Sequence, residues 1–150
     1  MTDRNMIFFS KPKNFKSKFD VVSCFLEYEG KILLLHRQDH KPQGDTWGVP
    51  AGKIDAGETR LKAIVRELKE ETAHLVTEEK SLLYSGKIYV RFPTYDFVYH
   101  TFHLPVKHEP KIVINPEEHK GFDWVSPAAA LEMDLMPDTG NCIKLFYKLP

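Results

Sequence analysis

Gly52-Lys53-Ile54-Asp55-Ala56-Gly57-Glu58, continued after seven residues by Arg66-Glu67-Leu68-Lys69-Glu70-Glu71, is the stretch that decides the fold. Helix positions three or four apart are neighbours, so Glu67 lies beside Glu70 and Glu71. At about 100° per residue these three carboxylates share roughly a third of the helix circumference. Leu61, Ile64, Val65 and Leu68 form a separate stripe with the spacing of a core-facing surface. One face is thus expected to anchor the helix while the other presents clustered negative charge. Carboxylates a few ångströms apart repel each other, and such a cluster implies a bound cation or shared protons. Oxygen-only ligands that leave room for water and phosphates suit Mg²⁺, with Mn²⁺ also acceptable, better than Zn²⁺.

A Glu-rich helix is more often simply a solvated face, since Glu is a good helix former. The wider spacing decides against that reading here. Gly52, Glu58 and the Arg66–Glu71 run resemble the signature box of the Nudix (MutT-like) hydrolases over Gly52 to about Leu75. The resemblance implies an α/β fold, a Nudix-type α/β/α sandwich with a mixed β-sheet. It also implies Mg²⁺-dependent cleavage of a diphosphate linkage in a nucleoside triphosphate or other nucleoside diphosphate derivative. Glu67, Glu70 and Glu71 fall on the family's metal-binding glutamates, often joined by the carbonyl of the glycine at Gly52. Arg66 falls on the arginine that orients a neighbouring glutamate, Glu58 or Glu67, with a bidentate grip that Lys cannot supply.

The box departs from the pattern at its end, where Ala73 and His74 stand in place of a glycine and an aliphatic residue. A side chain at a left-handed helix stop costs on the order of 1 kcal/mol. The helix is therefore expected to run one residue further, with Leu75 in the aliphatic role.

The 150 residues suit one domain, and 21 Lys plus Arg against 21 Asp plus Glu give no overall electrostatic case for nucleic-acid binding. No apolar stretch approaches a membrane span. Residues 1–18 carry Arg4, Lys11, Lys13, Lys16 and Lys18 and read as a mobile basic lead-in to a domain at 19–150. Cys24 and Cys142 read as buried thiols of a reducing, cytoplasmic compartment. A monomer or homodimer acting on a small-molecule nucleotide is expected.

Asp20–Tyr28 and Lys31–His36 are predicted strands around a tight Glu29-Gly30 turn, followed by a polar loop from Gln38 to Thr46. Strands are predicted over Leu82–Phe92, Tyr95–Leu104 and Gly121–Val125, and helices over Pro127–Leu131 and Asn141–Lys148. The second of these helices is predicted to turn Cys142, Leu145 and Phe146 to one side.

For proton acceptance, Glu58, Glu67 and Glu70 are candidates within the box. Outside it, Glu118 resembles a loop glutamate that approaches the metals in many relatives. Arg37 is a candidate phosphate contact, and Trp47 a candidate for stacking on a base or packing under the box. Aromatics such as Tyr89, Phe92, Tyr95 and Tyr99 are more simply strand pairs. Two other readings are open: a non-catalytic Nudix-fold nucleotide-binding regulator, which would typically lack box glutamates, and an isopentenyl diphosphate isomerase, which would need a catalytic cysteine and a histidine constellation.

Overall fold

Alternation of apolar side chains along the longest strand places the two cores. In a computed structural model that describes residues 6–150, Val22, Cys24 and Leu26 of β2 (Ser17–Tyr28) face one layer and Phe25 the other. Such period-2 burial on both sides marks a central strand covered on each face. β2 pairs in parallel with β7 (Asp96–Val106) along its whole length. β7 pairs antiparallel with β6 (Leu83–Arg91), which carries β1 (Met6–Phe8) at the sheet edge.

On its other side β2 changes partner. Glu27 and Tyr28 pair with β3 (Lys31–Arg37), whereas Val21 to Ser23 pair with β5 (Ala51–Lys53). The Glu29-Gly30 turn has positive φ at both residues, 49° and 76°, as a tight hairpin requires. β3 then pairs with β4 (Trp47–Gly48) and with β8 (His119–Val125). The eight strands form one mixed sheet.

α1 (Arg60–Thr72) covers one face through buried Ala63, Ile64 and Leu68, with Leu61 and Val65 packed against the same core. α2 (Pro127–Ala130) and α3 (Pro137–Tyr147) cover the other through Ala130, Cys142 and Ile143. This is the expected α/β/α sandwich. No helix among the described residues is long and apolar enough to cross a membrane. Cys24 and Cys142 are buried free thiols, and burial pushes the Cys142 thiol up to about 12.

Three local expectations are corrected. The box helix ends at Thr72, and Ala73 takes the left-handed conformation itself, at φ 64°. Its strain is offset because the helix end is satisfied: Ala73 N–H donates to Lys69 O, and Val113 N–H donates to Thr72 O. Leu75 is 61% exposed, and Val76 packs on the core in its place. α3 begins four residues earlier than predicted, at Pro137, and buries Thr139, Cys142 and Ile143 while leaving Leu145 exposed.

Of the basic lead-in, residues 1–5, with Arg4, lie outside the described residues. Further along, the segment touches the sheet through Phe15 and Lys16. Phe15 is buried with its edge against Tyr89, at 5.2 Å between ring centres, and Lys16 N–H donates to Asp96 at 2.9 Å.

Candidate active site

The loop before α1 and the first turn of the helix set the acidic residues in place. Thr59 caps α1, its hydroxyl accepting from Lys62 N–H at 3.1 Å. About two turns beyond the cap, Arg66 reaches back across the loop. Its Nε and Nη2 donate to the two oxygens of Glu58, both at 2.9 Å. Nη1 donates to Glu67 at 2.7 Å and to Glu70 at 3.2 Å, and Nη2 also reaches Lys53 O at 3.0 Å. One planar guanidinium thus joins three box glutamates and the end of β5, a geometry a single ammonium could not reproduce.

Arg66, and then the Asp55 N–H, hold the Glu58 carboxyl down at about 2. A carboxyl depressed in this way contributes stability above its unfolded value of about 4.3, and the contribution is lost as pH falls toward its folded value. Between pH 4 and 2 the melting temperature of the parent should fall more steeply than that of Glu58→Gln. Parallel melting curves against pH would show that the Arg66–Glu58 pair adds nothing to the folded state.

Glu67 and Glu71 lie on the side of α1 that meets β5. Glu71 accepts a hydrogen bond from Ala51 N–H at 2.9 Å. Gly52 passes so close to Glu67 that a Cβ at this position would lie 2.2 Å from the carboxyl carbon. A Gly52→Ala chain must therefore displace Glu67 or β5. A shift of about 1 Å at a reacting centre costs roughly 100-fold in rate, and a loss of that order is expected for kcat with the melting temperature nearly unchanged. Parent-like kcat would show that the close approach has no bearing on turnover.

Desolvation pushes the Glu71 carboxyl up to about 8; negative Glu67 and Glu118 add to the shift, against the Ala51 N–H and Arg37. Desolvation also raises Glu67, which Arg66 counters. Among the described residues no three His, Cys, Asp or Glu side chains converge closely enough to hold a metal ion by themselves. The corner is instead an open set of hard oxygen donors in which, among the described residues, Glu71 has no cationic side chain bonded to it. Such a set fits a divalent cation whose remaining ligands are water and phosphate oxygens.

Glu118 enters from the loop before β8. Lys41 Nζ lies 3.1 Å and Arg37 Nη1 4.0 Å from its carboxylate. Its charge is felt at Glu71, so the fold brings the loop carboxylate toward the box helix. Arg37 Nε also donates to Pro42 O at 2.6 Å, which fixes the polar loop after β3. The next residue, His119, is buried with Nδ1 unpartnered, and desolvation lowers it to about 4. Trp47 stands apart, stacked on His36 at 4.0 Å between ring centres and packed against the core beneath α3.

A cavity of about 340 Å³ opens beside Gly52 on the α3 face of the sheet. Its walls include Arg37, Phe19, Phe97, Tyr99 and Asp138. Phe19 and Phe97 are stacked at 5.4 Å, and the Lys53 ammonium sits 4.2 Å over the Phe19 ring. Sequence reasoning missed Phe19, Lys53 and Asp138. The Pro137-Asp138 pair carried the available signal, a proline at the first position of a helix.

The NUDIX domain family model matches residues 17–146. The CTP pyrophosphohydrolase of Escherichia coli K12 is 30% identical over 137 residues, which cover 87% of this chain and 92% of that protein. The dihydroneopterin triphosphate diphosphatase of Haemophilus influenzae is 25% identical over 136 residues, 84% of each chain. Among solved structures, the E. coli ORF135 protein superposes with a TM-score of 0.75 at 28% identity, covering 93% of this chain and 95% of that one. A family match over most of the length, joined to the box geometry, shows that the chain belongs to the Nudix family of hydrolases, enzymes of phosphoanhydride bonds.

Proposed function

We propose that the protein is a Mg²⁺-dependent pyrophosphohydrolase of nucleoside triphosphates, with Mn²⁺ able to substitute. The observation that carries this reading is the adjacency of two unlike sites. Gly52 borders both the carboxylate corner of α1 and an aromatic cavity whose volume falls in the range of about 300–1,000 Å³ usual for small-molecule sites. A nucleoside in the cavity would place its phosphates toward Arg37 and the box. The two relatives named above are called hydrolases of a CTP and of a pterin triphosphate, which fits a heterocycle joined to a triphosphate.

Glu67, Glu70, Glu71 and the Gly52 carbonyl would hold the cation. When bound, it would neutralise diphosphate charge and lower the pKa of a coordinated water. The residues do the rest of the work. Arg66 fixes Glu58 and Glu67 in register with the end of β5. Arg37 and Lys41 supply positive charge on the opposite bank, where a crowded phosphate chain needs it.

Water attack on phosphorus also requires a proton acceptor. Glu58 is held too far below neutral pH to serve well, because a useful base titrates near the working pH. Glu118 is the acceptor we favour, with Glu67 next. Glu118→Gln should lower kcat roughly 100-fold while KM stays within about two-fold. The deficit should narrow as pH rises and hydroxide partly replaces the base. An unchanged kcat and pH profile would move the role to Glu67.

The non-catalytic regulator reading gains nothing from the site, since Arg66, Glu67, Glu70 and Glu71 are all present and engaged. A panel of nucleoside triphosphates including CTP tests the proposal: nucleoside monophosphate and diphosphate ion should appear together. Tight nucleotide binding without any product would favour the regulator.

A further inference from the structure

Gln38, the first residue after β3, binds the loop that carries Glu118 at three points. Its backbone N–H donates to Glu118 O at 3.0 Å. Its side-chain Nε2 donates to Pro116 O at 2.9 Å and to His119 O at 3.3 Å. One amide thus holds a carbonyl upstream and a carbonyl downstream of Glu118, while the main chain holds the carbonyl of Glu118 itself. The loop is also wound tightly from within. Asn115 O accepts from the N–H groups of Glu118 and His119, at 3.0 and 2.9 Å, and Asn115 Oδ1 accepts from Glu117 N–H at 3.1 Å.

The strand that delivers this loop explains the need for a clamp. β8 joins the sheet through β3. Gly121 stands opposite His36, but Arg37 stands opposite His119, which leaves Lys120 as an extra residue. Such a bulge bends its strand and re-aims the side chains near it. Glu118 lies just beyond the bulge with its side chain 37% exposed, so packing alone does not fix its carboxylate. Lys120 is tied to the polar loop, its ammonium reaching Asp39 at 2.6 Å and Asp45 at 2.8 Å. Lys41 N–H donates to Gln38 O at 3.3 Å, and its ammonium meets the Glu118 carboxylate. The turn from Gln38 to Lys41 therefore grips Glu118 twice, at its backbone and at its charge.

A proton acceptor must lie within hydrogen-bond reach of the water it serves, and a misplacement of about 1 Å can cost roughly 100-fold in rate. Resting on the reading of Glu118 as that acceptor, we propose that Gln38 is a positioning residue for the reaction. Its side-chain amide, spanning Pro116 O and His119 O, holds the Glu118 backbone at a fixed distance from the box helix. Gln38 acts through Glu118 and meets no reacting atom.

The test is a double-mutant cycle on the full chain, read as kcat and KM for a nucleoside triphosphate in Mg²⁺. Gln38→Met keeps the length of the side chain and removes its donor. It should lower kcat roughly 10-fold with KM within about two-fold, and the deficit should narrow as pH rises, as for Glu118→Gln. In a chain that already carries Glu118→Gln, the same substitution should cost less than about two-fold, since no base is left to misplace. Gln38→Ala should repeat both results, each chain being compared well below its own melting temperature.

Parent-like kcat in both Gln38 variants, beside a slow Glu118→Gln, would overturn the positioning role alone. A further loss of about 10-fold on top of Glu118→Gln would do the same, because independent effects add and the amide would then act elsewhere. An unchanged kcat in Glu118→Gln would instead remove the base assignment, and the role that rests on it.

Discussion

Glu71→Gln is expected to lower turnover roughly 100- to 1,000-fold, the scale on which losing one preorganised electrostatic group acts, while leaving the protein folded. The amide oxygen can still accept from Ala51 N–H, which the carboxylate now does at 2.9 Å. What is lost is the negative charge that a divalent cation would meet. Because desolvation holds this carboxyl up near 8, its ionisation weighs against the folded state in the absence of metal. An acid with a raised folded pKa withdraws stability as pH climbs from its unfolded value through its folded one. The variant should therefore melt no lower than the parent near pH 8 in EDTA. Near-normal Mg²⁺-dependent turnover in this variant would sink the assignment of Glu71 as a ligand.

Arg66→Lys is expected to lower kcat roughly 10- to 100-fold, as loss of an outer-shell partner of a metal ligand commonly does. The guanidinium meets both oxygens of Glu58 through Nε and Nη2, Glu67 and Glu70 through Nη1, and Lys53 O through Nη2. A lysine could satisfy one of these at a time. Glu67 would then lose the partner that fixes it 2.7 Å away, beside the glycine whose backbone leaves it room. KM should move less than kcat, because the grip acts on the box glutamates and not on the proposed nucleoside cavity. An unchanged kcat would mark Arg66 as a surface charge.

The parts of the molecule that the sequence made legible are those governed by periodicity and fixed spacing. Ile64 and Leu68 are buried where the helical stripe placed them, and Arg66 clasps both of the glutamates offered as its partners. The Glu29-Gly30 turn joins the strands it was expected to join. Features set by long-range contacts were not legible. β1 exists because Met6–Phe8 finds the open edge of β6, a partner more than eighty residues away. Ala73 tolerates a left-handed φ because Val113 arrives to satisfy the end of the helix. The aromatic cavity gathers Phe19 from β2, Phe97 and Tyr99 from β7 and Asp138 from α3. No local pattern links those residues. Each reads as an ordinary core or turn residue until the sheet order is known.

In the proposed reading the carboxylate corner of α1 holds a divalent cation on which turnover depends. The most direct measurement is the rate of diphosphate release from a nucleoside triphosphate by the parent chain as Mg²⁺ is titrated into the EDTA-treated protein. We predict negligible release in EDTA and a saturable rise with Mg²⁺ that is lost in Glu71→Gln. Full turnover in EDTA, or an identical Mg²⁺ response in the variant, would contradict the account.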